Sequence, residues 1–320
     1  MHSVAWLLAS SIALTVTSAA AAYPERPLRV ILPNAPGSTT DLLGRVVFTR
    51  ISEQFGKPIV VDNRPGAGGT LGMETAARAA PDGYTVVAVA ASMLTITPHV
   101  YRKLAYDPLR DFVPISTYVL AQTALCVHAG LPVKTVREFV ELAKARPAAL
   151  NMASAGIGST SHLGGLLLAT RAGIEANHVP YKGGGPSIAA VAQGEAQWTV
   201  PPLSAAMPQV RAGRIRCLAT GGDQRSAITP ELPTLAESGV PGFRFYGWNG
   251  VVAPRGTPRP IVDKLNALMG EALGSAAVRK LYLDVSEEPA HSTPEAFGRL
   301  IREDFDAMGR LVKLANVTSE

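Results

Sequence analysis

Four short apolar runs in this chain each end in a loop rich in glycine and hydroxyl residues, and each loop leads into a predicted helix. The loops are residues 33–41, 64–70, 154–161 and 181–186. The first turn of a helix leaves about four backbone N–H groups without intrahelical partners and carries roughly half a positive charge. Because small residues let a ligand approach this backbone, each loop predicts a binding position for a carboxylate or phosphate group.

The alternation of strands and helices around these loops predicts an α/β fold. Strands are expected at residues 28–32, 59–61 and 85–90, with helices at 41–55 and 70–80 between them. Short apolar strands of this kind are typical of parallel sheets that helices cover on both faces. The first part of the chain is therefore predicted to form a doubly wound sheet.

The pattern restarts in the middle of the chain and predicts a second sheet. Strands are expected there at residues 123–128, 151–153, 178–180, 197–200 and 215–220. Helices are expected between them at residues 135–145, 161–172 and 187–193. A long strand within residues 243–252 could return to the first sheet, and helices are expected at 258–274 and 293–313. Strands that cross between two sheets would place the four loops on facing edges, where open α/β sheets bind their ligands.

Residues 1–22 have the features of an export signal. The apolar stretch at residues 4–16 is followed by Ala20, Ala21 and Ala22, which fit the small-residue pattern of a cleavage site. The stretch is shorter than a membrane-spanning helix, and an uncleaved anchor is the alternative interpretation. The mature chain is therefore expected to be periplasmic.

Charge and cysteine content limit the partners that the chain can have. The net charge of +5 is spread without a basic block, which argues against a nucleic acid partner and weakly favours small anions. The only two cysteines are Cys126 and Cys217, and neither stands in a metal-binding or redox motif. They predict either one disulfide, in an oxidising compartment, or two buried thiols.

Motifs for catalysis and cofactor binding are incomplete in this sequence. The glycines at residues 66–72 miss the dinucleotide spacing because position 71 is leucine, and no P-loop occurs, so no cofactor is expected. The scattered histidines show no metal-ligand spacing. Ser159, Ser161 and His162 leave open an exported α/β hydrolase or transferase in which a serine acts with the histidine. Hydroxyls that cap a helix, with His162 packed behind them, are the other interpretation, and no G-x-S-x-G elbow is present.

Three further features each have a structural and a functional interpretation. Asp41 is predicted to be a helix N-terminal charge that pairs with Arg45 one turn later. Tyr181 and Lys182 could supply a ring and a cation to an acid, or form a surface turn. Trp248 is expected to pack in the core or at a hinge rather than to contact a ligand.

Taken in order, these segments resemble the Bug (TctC-like) family, the extracytoplasmic solute receptors of tripartite tricarboxylate transporters. The resemblance covers essentially the whole mature chain, and its specificity comes from the order of many short motifs. The motifs are Tyr23-Pro-Glu-Arg-Pro27, Pro36-Gly37 with Asp41 and Arg45, Asn63-Arg64-Pro65-Gly66-Ala67-Gly68-Gly69 with Gly72, Pro81-Asp82-Gly83-Tyr84, Gly156-x-Gly158-Ser159 with Ser161-His162, His178-Val179-Pro180-Tyr181-Lys182-Gly183-Gly184, Pro233-Thr234 with Glu237-Ser238-Gly239, and Trp248 with Ala253-Pro254-Arg255-Gly256-Thr257-Pro258.

The resemblance implies a two-lobed α/β fold of the periplasmic-binding-protein type (type II, flytrap), with two doubly wound sheets and a hinge. Lobe 1 would combine residues 23–120 with 223–320, and lobe 2 would comprise residues 121–222. The protein would be a receptor rather than an enzyme, would capture a small carboxylate between the lobes and would pass it to membrane permease subunits. A monomer is expected. A ligand sensor that docks on a signalling protein is the alternative role for the same domain.

Carried over by position, the resemblance also implies that backbone N–H and hydroxyl groups hold the ligand carboxylate. The implied ligand-binding residues are Ser38, Thr39, Asp41, Gly68, Gly69 and Ser92 in lobe 1 and Ser154, Gly158, Ser159 and Tyr181 in lobe 2. No metal is expected to take part.

The chain departs from the family pattern at two places that affect ligand choice. In the first loop, Asn34 stands where relatives usually have an aromatic residue, and Ser38 stands where they have a second glycine. Relatives often place acidic residues around 197–202, where this chain has Gln197 and Pro201. Because an amino-acid ammonium group would require a carboxylate there, a ligand with only anionic or neutral groups is expected.

Overall fold

The structure is a computed structural model that describes residues 23–317, with only the backbone of Thr39, so the predicted export signal lies outside the described residues. The strands are β1 (Leu28–Leu32), β2 (Ile59–Asn63), β3 (Thr85–Ala90), β4 (Phe112–Ala121), β5 (Ala124–His128), β6 (Asn151–Ser154), β7 (Asn177–Pro180), β8 (Trp198–Thr199), β9 (Ile215–Thr220), β10 (Gly247–Pro254) and β11 (Glu288–Pro289). The helices are α1 (Thr39–Phe55), α2 (Thr70–Ala77), α3 (Ala91–Thr95), α4 (Thr97–Val100), α5 (Val136–Ala145), α6 (Thr160–Ala172), α7 (Gly184–Gln193), α8 (Leu203–Arg211), α9 (Arg259–Gly274), α10 (Ala276–Asp284) and α11 (Pro294–Leu314).

The first sheet has six strands in the order β11-β4-β10-β3-β1-β2. β1 runs parallel to β2 and β3, as the sequence predicts, with α1 and α2 as the helices between these strands. β10 lies between β3 and β4 and is antiparallel to both. The strand expected within residues 243–252 therefore does return to the first sheet, and it makes that sheet mixed rather than entirely parallel.

The sequence patterns do not predict β4, the ten-residue strand beside β10. Pro114 lies inside it, and proline is disfavoured within sheets because it lacks an N–H group. The strand accommodates Pro114 through an irregular register with β10. Val251 pairs with Ser116, whereas the next residue, Val252, pairs with Pro114, so Ile115 is skipped.

The second sheet has five strands in the order β7-β6-β8-β5-β9. β6 is parallel to β7 and β8, whereas β5 is antiparallel to β8 and β9. Cys126 on β5 pairs directly with Cys217 on β9, and the two cysteines form a disulfide. Of the two cysteine states that the sequence left open, the structure therefore contains the disulfide.

The chain passes between the sheets at two places that lie side by side. β4 leads into β5 through Gln122 and Thr123, and residues 221–246 lead from β9 back to β10. The Gly221 N–H donates to the Thr123 carbonyl at 2.8 Å, and the Phe245 N–H donates to the Gly221 carbonyl at 2.8 Å. The Thr123 hydroxyl in turn donates to the Phe245 carbonyl. Gly221 is required here because a Cβ would overlap both oxygen atoms, and the three bonds form the hinge between two lobes.

α11 is a third connection between the lobes. Near its start, Phe297 packs edge-on against the buried Trp248 ring, with centroids 5.0 Å apart, in the core of the first lobe. Trp248 therefore packs in this core, as predicted, and it also lines the cavity between the lobes, so the absence of a ligand contact stays a prediction. Near the end of the helix, Leu311 joins the core of the second lobe. The domain boundaries expected from the sequence stay a prediction, since this helix packs on both lobes.

Candidate ligand site between the lobes

A cavity of about 370 Å³ lies between the lobes, next to the hinge. The first lobe lines it with the start of α1, with α3 and with the first residues of β10, and the second lobe with the starts of α6 and α8. Its polar residues are Thr40, Ser92, Thr95, Arg244, Tyr246, Asn249, Glu287 and Asp304 in the first lobe and linker, and Thr160 and Ser204 in the second lobe. The helices α3, α6 and α8 each follow the carboxyl end of a strand, which is where open α/β sheets bind ligands.

The loop between β1 and α1 is held in place by Asp41, whose two carboxylate oxygens both have partners within the protein. Oδ2 accepts the Gly37 N–H at 2.9 Å, while Oδ1 accepts Arg45 Nε at 2.9 Å and Asn63 Nδ2 at 3.0 Å. Burial opposes ionisation, but the hydrogen bonds from Asn63, Gly37 and Arg45 outweigh it and lower the pKa of Asp41. The predicted pair with Arg45 is confirmed. Asp41 therefore fastens the loop to the end of β2.

Ser38 caps the helix that follows this loop. Its hydroxyl accepts the Asp41 N–H at 3.3 Å, so α1 begins at residue 39, two residues before the expected start. The side chain of Thr39 lies outside the described residues. Thr40, the next residue, lines the cavity, and its carbonyl accepts the Tyr118 hydroxyl at 3.2 Å.

The loop between β2 and α2 packs against the first loop. Gly68 and Gly69 adopt left-handed conformations, with φ values of 66° and 91°, that other residues rarely adopt. On α2, a Cβ at Gly72 would lie 2.9 Å from the Cα of Pro33, so the helix approaches the first loop as closely as glycine allows. Neither Gly68 nor Gly69 is among the residues that line the cavity.

The loop between β6 and α6 forms a helix cap. The Ser159 hydroxyl accepts the His162 N–H at 3.3 Å and donates to the Gly156 carbonyl at 2.6 Å. Nδ1 of His162 accepts the Gly158 N–H at 3.0 Å. These bonds match the capping interpretation of Ser159 and His162, because the hydroxyl and the ring nitrogen are both directed at the loop's own backbone.

A stacked histidine pair lies behind this cap. The rings of His162 and His178 are stacked with centroids 4.1 Å apart, and Nε2 of His178 lies 2.7 Å from the hydroxyl of Ser154. Burial, together with the neighbouring His178, lowers the pKa of His162 to about 4, and burial also lowers the pKa of His178. Both rings are therefore neutral at neutral pH. Ser154 is fully buried, so its contact with His178 braces the loop and does not present a nucleophile.

The loop between β7 and α7 is bonded to the third loop. The Tyr181 N–H donates to the Ser154 carbonyl at 2.9 Å, and the Gly183 N–H donates to the Ala155 carbonyl at 3.2 Å. The Tyr181 ring packs on the second-lobe core, while Lys182 is exposed. This geometry fits the surface-turn interpretation of these two residues.

The predicted ligand residues thus form two groups of loops, one on each lobe. Ser92 lines the cavity directly, and Thr40 and Thr160, each adjacent to a predicted residue, bring the first and third loops to its wall. The predicted residues that do not line it in this conformation are Ser38, Asp41, Gly68, Gly69, Ser154, Gly158, Ser159 and Tyr181. Their role in ligand binding stays a prediction.

Sequence reasoning missed an ionic cluster at one side of the cavity. Asp304 of α11 accepts the Trp248 indole N–H at 2.7 Å and an Arg244 N–H at 3.2 Å. Arg244 also pairs with Asp223 at 3.0 Å and lies 5.2 Å from the centre of the Tyr246 ring. Burial raises the pKa of Asp304 despite these bonds. The cluster joins the linker, β10 and α11, and no local sequence pattern connects these segments.

Glu287 is a second acidic group that sequence reasoning missed. It is 4% exposed, lines the cavity and accepts the hydroxyl of Ser204 from the other lobe at 2.8 Å. Burial raises the pKa of Glu287 from 4.5 to about 7, although the Ser204 bond favours the ionised form. Gln197, where an acid is expected in relatives, lies at the other end of β8 and bonds to Asn151 and Gly194 instead.

Two further features concern metal binding and membrane crossing. Across residues 23–317, His, Cys, Asp and Glu side chains form no group of three or more that could hold a metal ion. In the same part of the chain, no helix has both the length and the apolar composition that a membrane crossing requires.

Comparisons with known proteins agree with the fold. Residues 43–317 match the family described as tripartite tricarboxylate transporter family receptor. The chain is 32% identical to BugT of Bordetella pertussis over 292 residues, which cover 91% of this chain and 90% of BugT. It is 34% identical to Rpa4515 of R. palustris, solved with adipate, with a TM-score of 0.75 over 93% of this chain and 100% of that one. It is 32% identical to MatC (Rpa3494) from Rhodopseudomonas palustris, solved with malate, with a TM-score of 0.70 over 91% and 100%.

Two α/β lobes, a hinge between them and a cavity beside that hinge define the class of periplasmic solute-binding receptors. Within that class, the chain belongs to the TctC (Bug) family of tripartite tricarboxylate transporter receptors. The family expected from the sequence motifs is thereby confirmed, as is the two-lobed α/β fold. Members of this family are solute-binding receptors rather than enzymes.

Proposed function

We propose that this receptor is exported to the periplasm, captures a small carboxylate between its lobes and delivers it to the membrane subunits of a tripartite transporter. The observation that carries the proposal is the cavity beside the hinge, which both lobes line with helix starts. Helix N-termini favour anions because their N–H groups and dipoles point at the ligand. Rpa4515 and MatC, which share the fold, were solved with adipate and malate.

The hydroxyl and backbone groups of both lobes can supply much of the binding free energy. Each hydrogen bond to a carboxylate contributes about 1.5–3 kcal/mol in a closed site. Three or four such bonds contribute about 5–12 kcal/mol before the cost of ordering ligand and lobes is subtracted, and micromolar binding corresponds to about 8 kcal/mol net. Because a ligand gains contacts with the second lobe only on closure, it favours the closed form.

Titration calorimetry of the mature protein against mono-, di- and tricarboxylates tests the capture step. We expect micromolar or tighter binding of at least one acid. Replacing Ser92→Ala together with Thr160→Ala removes one hydroxyl from each wall and should weaken that acid about tenfold or more. Ser38→Ala with Thr39→Ala tests the predicted first loop in the same way.

The control is Thr75→Ala, which removes a hydroxyl that bonds to the Leu71 carbonyl on α2, outside the residues that line the cavity. This variant should bind the acid as the unmodified protein does. Wild-type affinity in the Ser92/Thr160 variant, or no binding of any acid, would contradict the proposed site.

Uptake of the bound acid by cells tests delivery. Cells that lack this receptor should lose saturable uptake of the acid, and the unmodified receptor should restore it. The Ser92/Thr160 variant, exported to the same level, should restore much less. Undiminished uptake in the cells without the receptor would argue for a sensor role instead of transport.

A further inference from the structure

Glu287 is a buried acid in the cavity wall whose partners are incomplete. Its Oε1 accepts the Ser204 hydroxyl at 2.8 Å, but among the described residues no hydrogen bond reaches Oε2. Asp304, by contrast, has both the Trp248 indole and the Arg244 guanidinium as partners. Ionising a buried carboxyl group whose partner is a neutral hydroxyl costs free energy, because the charge loses hydration and gains no ion pair in return.

Among residues 23–317, no basic side chain pairs with Glu287. On its own segment, Glu288 is a second acid that accepts Ser226 Oγ and the Ala227 N–H. On α10, the hydroxyl of the buried Tyr282 donates to the Leu43 carbonyl. Burial and the negative charge of Glu288 both raise the pKa of Glu287.

Two basic residues near this part of the cavity, Arg211 and Arg244, make their contacts with groups other than Glu287. On α8, Arg211 approaches the Ser286 hydroxyl at 3.5 Å. In the linker before β10, Arg244 is paired with Asp223 and Asp304. In the described part of the chain, no arginine or lysine forms an ion pair with Glu287. Because Glu287 lines the cavity, a ligand bound there can complete its hydrogen bonding.

From this geometry we infer that Glu287 makes the cavity selective for acids whose second polar group is a hydrogen-bond donor. An ammonium, an amide N–H or a hydroxyl can donate to the free carboxylate oxygen, whereas a second carboxylate faces a buried acid. The inference rests on the proposed function, since it concerns the end of the ligand remote from the captured carboxylate. It differs from the expectation, drawn from Gln197 and Pro201, of a ligand with only anionic or neutral groups, because an ammonium group could also donate to Glu287.

Ligand pairs of equal length test the selectivity in the unmodified protein. Calorimetry at pH 8 compares each dicarboxylate from succinate to adipate with the ω-amino, ω-hydroxy and monoamide acids of the same length. We expect the best donor-bearing acid to bind at least tenfold more tightly than its matched dicarboxylate. Comparison of the amino, hydroxy and amide acids then identifies the donor class. Dicarboxylates that bind as tightly as their matched partners would overturn the inference.

Glu287→Gln tests the residue itself, because glutamine keeps the shape and the acceptor for Ser204 but loses the charge. The variant should bind dicarboxylates more tightly and ω-amino acids at least tenfold more weakly. The ratio of the affinity for the donor-bearing acid to the affinity for its matched dicarboxylate therefore falls or inverts. Glu271→Gln on α9 is the matched control, since Glu271 is exposed and bonds to Gln54. It should leave the ratio unchanged.

The outcomes separate the inference from the proposed function. If acids bind but Glu287→Gln leaves the ratio within twofold of the unmodified protein, the selectivity inference is wrong and the receptor proposal stands. If no acid binds, the proposed function fails and the inference fails with it. The wild-type comparison decides the question even if the variant does not fold.

Discussion

Asp41 and Glu287 are both buried carboxyl groups of the first lobe, yet their surroundings shift their pKa values in opposite directions. Burial disfavours the charge in both cases. Asp41 overcomes it with hydrogen bonds from Asn63, Gly37 and Arg45, so it stays ionised and fixes a loop. Glu287 has only Ser204, and its pKa is raised to about 7. One carboxylate is thus structural, and the other is available to a ligand.

The raised pKa of Glu287 predicts a pH-dependent stability difference. A folded-state pKa above the unfolded value of 4.5 contributes stability below pH 4.5, and that contribution is lost as the pH rises through about 7. We therefore compare the free energy of unfolding of Glu287→Gln with that of the unmodified protein. This difference should favour the variant by about 2–3 kcal/mol more at pH 8 than at pH 5. Urea unfolding at the two pH values, with Glu271→Gln as control, measures this. A difference that does not change with pH would contradict the burial argument.

At the scale of elements, the β1–α1 and β2–α2 loops form one unit because they lock each other. Asn63 at the end of β2 donates to Asp41 and to the Asn34 carbonyl, and Gly72 on α2 lies against Pro33. Thr40, which this unit positions, is the point where the first loop reaches the cavity. We therefore expect packing between α2 and the first loop to affect ligand binding, although α2 does not line the cavity.

Gly72→Ala tests this contact. A Cβ 2.9 Å from the Pro33 Cα cannot be accommodated without moving the backbone, so we expect a loss of about 1–3 kcal/mol in the free energy of unfolding. Gly185→Ala on α7 is the control, since its Cβ would meet no atom within 4 Å, and alanine there should be neutral or slightly stabilising. Denaturant unfolding compares the two. Equal stability of Gly72→Ala and the unmodified protein would show that the loops can separate freely.

At the scale of the whole molecule, two crossing segments and α11 join the lobes while leaving a cavity between them. The hydrogen bonds among Thr123, Gly221 and Phe245 fix where the two segments cross, and α11 packs on both cores. Closure about such a hinge would bring the two walls of the cavity onto a ligand. The Ser204–Glu287 bond shows that the walls already touch at one point.

We expect the disulfide to contribute substantially to the stability of the second lobe. Cys126 and Cys217 are 91 positions apart, and loop-closure entropy for a loop of that length is worth about 4–5 kcal/mol. Replacing both, Cys126→Ala with Cys217→Ala, should cost about 2–5 kcal/mol in denaturant unfolding. Thiol titration of the denatured, unreduced protein should detect no free thiol. Two titratable thiols per chain would contradict the disulfide.

Much of the fold was predictable because it depends on local patterns. The first three strands, their helices and the stop of α1 at Gly56, with a φ of 63°, follow from apolar runs and glycine positions in short windows. β4 was missed because Pro114 argues against a strand unless the partner strand shifts register there. The disulfide also required the register of β5 and β9, which sequence spacing does not encode.

The candidate site was only partly predictable, because part of it depends on contacts between distant segments of the chain. The sequence patterns predicted the helix-opening loops next to Thr40 and Thr160, and the family resemblance added Ser92, but the helices α3 and α8 that also line the cavity were not predicted. The sequence could not identify Arg244, Asp304 or Glu287, because charged residues on helices and linkers are usually solvated.

By itself, the sequence determined the strand–helix alternation, the four helix-opening loops and the family, because each is written in neighbouring residues. Only the tertiary structure decided which loops reach the cavity, where β10 inserts, and that Glu287 lies in the wall facing Ser204. Those outcomes depend on contacts between residues far apart in the chain, and such contacts arise from packing and burial that no short stretch of sequence contains.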